Sequence, residues 1–168
     1  MNAITPLCCE FLSLVESVLQ LVRHEYATQK HLTSLECNIA WNLLLISLYC
    51  RDSTLRHKAA DILREYPGRD GLWNTQALYI LAQKNQLVEN VNKMEGSPEE
   101  QWHRLLRREY LFEDGGDRVL FRFLDKNEEG EWILTEEVAD ANEHGQQAYW
   151  AKLNHVMFKK LLLPSMIP

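Results

Sequence analysis

Between Cys50 and Asn74 the chain breaks twice in quick succession, and those breaks limit what it can fold into. The run before them, Ile39 to Cys50, is apolar almost all round, the pattern of a helix buried on every side. Asp52 then stands where a helix N-cap is needed, since its short carboxylate can accept from the first free backbone amides. From Ser53 to Tyr66, Leu55, Ala59, Ile62, Leu63 and Tyr66 fall on one stripe, while Arg56, Lys58, Asp61, Arg64 and Glu65 are expected to face away. Pro67-Gly68 stops that helix. A further amphipathic helix is expected from Leu72 to Met94, with Trp73, Ala77, Ile80, Leu81, Leu87, Val88 and Val91 inward. So short a break sends the second helix back along the first and predicts a helical hairpin, closed by Leu55, Ile62 and Leu63 against the segment begun by Trp73.

The flanking sequence extends this pattern. Glu10 to Thr28 carries Phe11, Leu14, Val15, Val18, Leu19 and Val22 at helical spacing, and Thr33 with Glu36 forms a capping-box pair before Leu35, so the second, apolar helix is expected to start there and run to about Cys50. Gly96 ends the fourth helix. Ser97-Pro98-Glu99-Glu100 reads as N-cap, first-turn proline and two acids at the positive end of a helix dipole. That helix is expected to reach Tyr110 with Trp102, Leu105 and Leu106 buried, before the Asp114–Asp117 break. Val119, Phe121 and Phe123 then alternate with Leu120, Arg122 and Leu124, and a polar turn from Asp125 to Gly130 leads to Trp132–Thr135, which predicts a β-hairpin. A last helix is expected from Gln146 to Leu162. The expected fold class is mainly α: a compact array of antiparallel helices, about six by periodicity, with a small β-hairpin near the C-terminus. One domain is expected over 1–168, with a helical core in 1–94 and an acidic segment in 95–168.

Charge and cysteine placement narrow the function classes. The net charge of −6 lies wholly in residues 95–168, where nine Lys/Arg meet fifteen Asp/Glu; residues 1–94 hold nine of each. An acidic surface repels phosphate, so direct nucleic-acid binding by this chain is not expected. No apolar run is long enough for a bilayer span, and no basic-then-apolar leader opens the chain, so an intracellular, reducing location is expected. Cys8, Cys9, Cys37 and Cys50 lack a Cys-x-x-Cys pair and read as free thiols packed in helices, without a metal or other cofactor.

Catalytic signatures are missing from the sequence: no nucleophile elbow, no zinc-binding His-Glu-x-x-His, no phosphate loop and no dinucleotide fingerprint. His24, His31, His57, His103, His144 and His155 are scattered, and Asp61 with Glu65 reads as a solvated pair, so the chain is read as a non-enzyme. Asp125 to Glu136 fits much of the calcium-loop pattern, with donors at positions one and three, glycine at six and glutamate at twelve. Glu129 at position five and Trp132 at position eight depart from it, and a hairpin turn is the competing reading. Residues 113–143 hold eleven acids among aromatic and aliphatic residues, a composition that fits either a recruiting acidic segment or a packed hairpin.

The Cys50-Arg51-Asp52-Ser53-Thr54-Leu55-Arg56 segment, followed by Arg69-Asp70-Gly71-Leu72-Trp73-Asn74, resembles the C-terminal regulatory region of fungal zinc-cluster transcription factors. Cys50, Arg51, Asp52, Arg56, Ala59 or Ala60, Leu63, Arg69, Gly71, Leu72 and Trp73 carry the likeness over residues 45–75. Ser53 stands in place of a usual proline, Gly68 of an arginine, Asp70 of a glutamate and Asn74 of an aspartate. The six-cysteine DNA-binding element of that family is not among these 168 residues. The resemblance implies a fungal-type regulator of transcription in the nucleus, or in the cytoplasm, acting by protein–protein contact. A full-length zinc-cluster regulator or a second copy is the expected partner, and a specialised metabolite gene cluster the candidate target. The alternatives are an adaptor or truncated paralogue with no regulatory role, and a single calcium-binding loop at Asp125–Glu136.

Overall fold

The computed structural model describes residues 4–28, 38–50, 52–66, 68–141 and 148–153. Five helices run α1 (Ile4–Thr28), α2 (Ile39–Tyr49), α3 (Ser53–Glu65), α4 (Thr75–Asn92) and α5 (Pro98–Leu106). A two-residue ribbon, β1 (Arg69–Asp70) and β2 (Trp73–Asn74), separates α3 from α4. After α5 come β3 (Glu109–Glu113), β4 (Arg118–Lys126), β5 (Trp132–Asp140) and β6 (Ala151–Lys152), an antiparallel sheet in that order. The fold is therefore mixed α/β, which corrects the mainly α expectation: a four-stranded sheet stands where a small hairpin was expected.

The reason lies at the two ends of that hairpin. Arg107 leaves helical geometry at φ −90, ψ 39, so α5 stops at Leu106, short of the expected Tyr110. Tyr110 and Phe112 then share one strand face, a period of two too brief to stand out beside a helix. β4 and β5 pair over nine residues each, in the register Val119↔Ala139, Phe121↔Glu137 and Phe123↔Thr135. Ala151 and Lys152 pair with Val138 and Glu137, which overturns the expected last helix at those positions. Residues 148–150 and 153 carry no regular structure, and the rest of that expected helix, with the Thr33/Glu36 capping box, lies outside the described residues.

Helices and sheet share one core. Leu43, Leu44, Leu63, Leu78 and Leu81 are buried with Val119 and Phe121, and α4 packs across β4. Phe121 and Phe123 stack 5.0 Å apart on the face toward α4, beside Trp150. Lys84 of α4 reaches the same layer, 2.5 Å from Glu137 and over the Phe123 and Trp150 rings. Its ion pair and cation–π contacts satisfy a charge that would otherwise be costly this deep.

The expected helical hairpin is built with one change. Leu55, Ile62 and Leu63 are buried in the common core, and α3 packs on both α2 and α4. Trp73, however, belongs to the ribbon and stacks on Trp41 of α2, with centroids 4.4 Å apart, Phe112 edge-on to Trp73 and Tyr110 tilted beside Trp41. Helix α4 starts at Thr75 because Asn74 caps it, accepting from Gln76 and Ala77. Leu72 is 81% exposed at the ribbon turn, where Gly71 takes φ 61, a left-handed geometry that favours glycine.

Asp70 explains the ribbon's purpose. It is 2% exposed, and its Oδ2 accepts from the Ala40 amide at 2.8 Å, capping α2 from thirty residues away. Asn38, at the head of α2, sits at φ 51 and makes no side-chain cap of its own. Asp52 caps α3 conventionally, accepting from Thr54 and Leu55. Because the Ala40 amide is buried, Asp70→Ala is expected to cost about 1–3 kcal/mol. Asp52→Ala, beside a more exposed helix end, is expected to cost about 1 kcal/mol. Urea denaturation of both variants checks the order, and a larger loss at Asp52 would contradict it.

Candidate interaction site

A carboxylate placed inside a helical layer needs cations around it, and Glu89 has three. Its side chain is 6% exposed. Arg56 Nη1 lies 2.5 Å from one oxygen, Arg108 Nη1 2.8 Å from the other, and Lys93 Nζ 3.7 Å away. Arg56 also donates Nε to the Ser47 carbonyl near the end of α2, at 2.8 Å. Arg108 donates Nε to the Leu105 carbonyl at the end of α5 and Nη1 to Asn85 Oδ1. One acid thus ties together α2, α3, α4 and the exit from α5.

Arg56 was expected to face away from the core, and it does not: both it and Arg108 keep about a tenth of their side chain exposed. The inner face of α4 differs in the same way. Asn85, Glu89 and Asn92 are buried on it, while Leu87 and Val91, expected inward, are exposed. On α1, Leu12 is buried whereas Leu14 and Val18, expected inward, are exposed.

Helix α5 carries the sharpest reversal. Trp102 and Leu106 were expected to be buried; they are 58% and 64% exposed. The residue turned in is Arg104, at 7%. It donates to the Asn92 side chain at 3.2 Å and to the Asn92 and Glu95 carbonyls at 3.0 and 2.5 Å, and lies 4.2 Å from the Trp132 ring centroid. Its guanidinium satisfies carbonyls around the end of α4, so that contact fixes how α5 rolls. The capping box holds the other end, Glu100 accepting from the Ser97 amide at 2.6 Å and Ser97 from the Glu100 amide at 3.3 Å. That hydrogen bond keeps the Glu100 carboxyl below its ordinary value.

Between these elements lies a cleft of about 360 Å³. Arg56, Glu89 and Arg108 line it with Lys93, and Tyr49, Trp102, Leu105 and Leu106 form its apolar side. A second depression of about 500 Å³ shares Tyr49 and Cys50 with it and continues along α1 past Phe11 to Leu7. Two larger depressions flank α3, at about 830 and 780 Å³. Their walls are mainly polar surface side chains, with Lys58 paired to Glu16 and Arg64 to Asp61, so neither gathers buried charge.

The sequence-derived residues divide between two places. Cys50 and Arg56 reach the cleft, while Arg69, Gly71, Leu72 and Trp73 belong to the ribbon near the other end of the eleven-residue α2, about 15 Å away. Arg69 pairs with Asp117 and donates to the Gly115 carbonyl at 2.9 Å, and Asn74 donates to Asp117 at 2.7 Å, joining ribbon to sheet. Leu63 is core at 1% exposure, and Asp52 is a cap. Arg51 lies outside the described residues. Cys8 and Cys50 are buried free thiols in contact; burial, then the neighbouring Cys50, pushes the Cys8 thiol up, as befits an unreactive cysteine.

Asp125–Glu136 is strand, turn and strand, not the helix–loop–helix that the calcium loop requires. Glu136 pairs with Arg122 at 2.8 Å, and Asn127 closes the turn by accepting from the Glu131 amide. That pairing holds the Arg122 guanidinium above its ordinary value. Among the described residues no three His, Cys, Asp or Glu side chains gather closely enough for a metal ion, and no helix is long and apolar enough to cross a membrane. The chain matches no family model, no curated protein and no solved structure.

Tyr110 links the cleft to the aromatic cluster. Burial first, then its hydrogen bond with Tyr49, pushes its phenol up to about 12. An acid whose folded pKa is raised contributes stability that is complete below the unfolded value of 10 and is lost as pH climbs toward 12. From pH 10 to 12 the melting temperature of the wild type is expected to fall faster than that of Tyr110→Phe, which lacks the ionisable phenol. Parallel curves would remove the coupling.

Proposed function

We propose that this chain is a regulatory module of the kind found in fungal zinc-cluster transcription factors, and that it acts by gripping a protein partner. One observation carries the partner-binding part: α5 turns Arg104 inward and Trp102 and Leu106 outward. Exposed large apolar side chains beside a charged cleft mark interaction surfaces more than catalytic ones. The transcriptional part rests on the segment resembling that family. In this fold the segment supplies the α3 cap, the Arg56 ion pair and the Trp73 stack, so the shared residues are those that hold the architecture.

Co-expression with a full-length zinc-cluster regulator and a promoter reporter tests the proposal. The chain is expected to enter the nucleus, co-purify with the regulator and change reporter output. Trp102→Ser with Leu106→Ser is expected to abolish that change while shifting stability by no more than about 0.5 kcal/mol, because both side chains are exposed. An unchanged reporter with the chain confined to the cytosol would favour the adaptor reading. Tight, salt-sensitive retardation of promoter DNA by the chain alone would contradict a protein-contact mechanism.

A further inference from the structure

We infer that the cleft between α4 and α5 receives an acidic amphipathic segment of a partner protein; this deepens the partner-contact reading above and rests on it. Charge is the first argument. Three cations, Arg56, Lys93 and Arg108, line the cleft against one carboxylate, Glu89, leaving two positive charges uncompensated within it. The protein as a whole carries −6, so the cleft is opposite in sign to the chain's net charge. Lys93 is 52% exposed and open to an incoming carboxylate, while Arg56 and Arg108, about a tenth exposed, add their field from behind it. Charge complementarity of this sort selects partners and speeds encounter.

Shape is the second argument. The cleft's apolar side is Trp102, Leu106 and Tyr49, each more than half exposed, and the adjoining depression extends it toward Leu7 on α1. A compact ligand of a few atoms would leave most of this rim in water. An amphipathic segment fills it, apolar side chains three and four residues apart meeting the rim while interleaved carboxylates face Lys93 and the arginine edges. A polyphosphate backbone fits less well, since the cleft offers a positive charge of only two units.

Fluorescence anisotropy with a labelled synthetic helix of about 15 residues, or four turns, glutamates on one face and Leu/Phe on the other, tests this on the full chain. Binding is expected to weaken steeply between about 0.05 and 0.3 M salt. It is expected to be at least about tenfold weaker for a peptide with lysines in place of the glutamates and for a scrambled one without an apolar face. Lys93→Gln and Trp102→Ser are expected to reduce it about tenfold each; Trp102→Ser leaves the melting temperature unchanged, and Lys93→Gln lowers it only slightly, since Arg56 and Arg108 still face Glu89. Equal binding of the lysine peptide, indifference to both variants, or self-association through Trp102 that the acidic peptide does not displace would each overturn the assignment. If the peptide fails while the regulator still co-purifies, this cleft is the wrong place and the regulatory reading stands; if both fail, both fall.

Discussion

Glu89 and its arginines govern how the helices assemble. An isolated carboxylate at this depth costs several kcal/mol, and removing one partner from a buried pair costs about 3–5 kcal/mol because the other charge is stranded. The same geometry gives the fold its specificity. Arg56 reaches Glu89 only while it also meets the Ser47 carbonyl of α2, and Arg108 only while the chain leaves α5 toward β3. The ion cluster ties α2, α3 and α4 to the exit from α5 across the buried leucines Leu43, Leu44 and Leu81.

The ribbon does for the other end of α2 what the ion cluster does for its C-terminal end. Asp70 caps the Ala40 amide, Trp73 stacks on Trp41, and Arg69 and Asn74 both reach Asp117 in the β3–β4 connection. Gly116, at φ +91, lies against this junction, where an added Cβ would come within 3.3 Å of the Leu72 carbonyl. Asp52, Arg56, Arg69 and Trp73 therefore serve mostly as joints. The exposed apolar rim proposed for a partner lies elsewhere, at Tyr49, Trp102 and Leu106.

Much of the helical layer was legible in the sequence because caps and breaks are local chemistry. Asp52 and Ser97 cap as their residue types demand, and Ser53–Glu65 matches the expected helix within one residue. The sheet was less legible. Tyr110 and Phe112 have only five residues in which to show alternation, and Ala151–Lys152 has two. The site was almost hidden, because polarity patterns assign a charged residue to solvent unless its partner is known. Arg56 and Glu89 are thirty-three positions apart, and Arg104 finds its carbonyls only after α4 and α5 have packed. One signal was present: Asn85, Glu89 and Asn92 recur at helical spacing along α4 among buried apolar residues, the mark of a polar stripe needing partners.

A double-mutant cycle on Arg56→Met and Glu89→Leu, read by urea denaturation, tests this account most directly. Glu89→Leu is expected to lose about 3 kcal/mol or more by stranding Arg56 and Arg108, and Arg56→Met less, since Arg108 and Lys93 still face Glu89. The double variant is expected to lose less than the sum, with a coupling of about 2 kcal/mol. Losses that add within about 0.5 kcal/mol would mean the two charges act independently and that the helices hold their register without them.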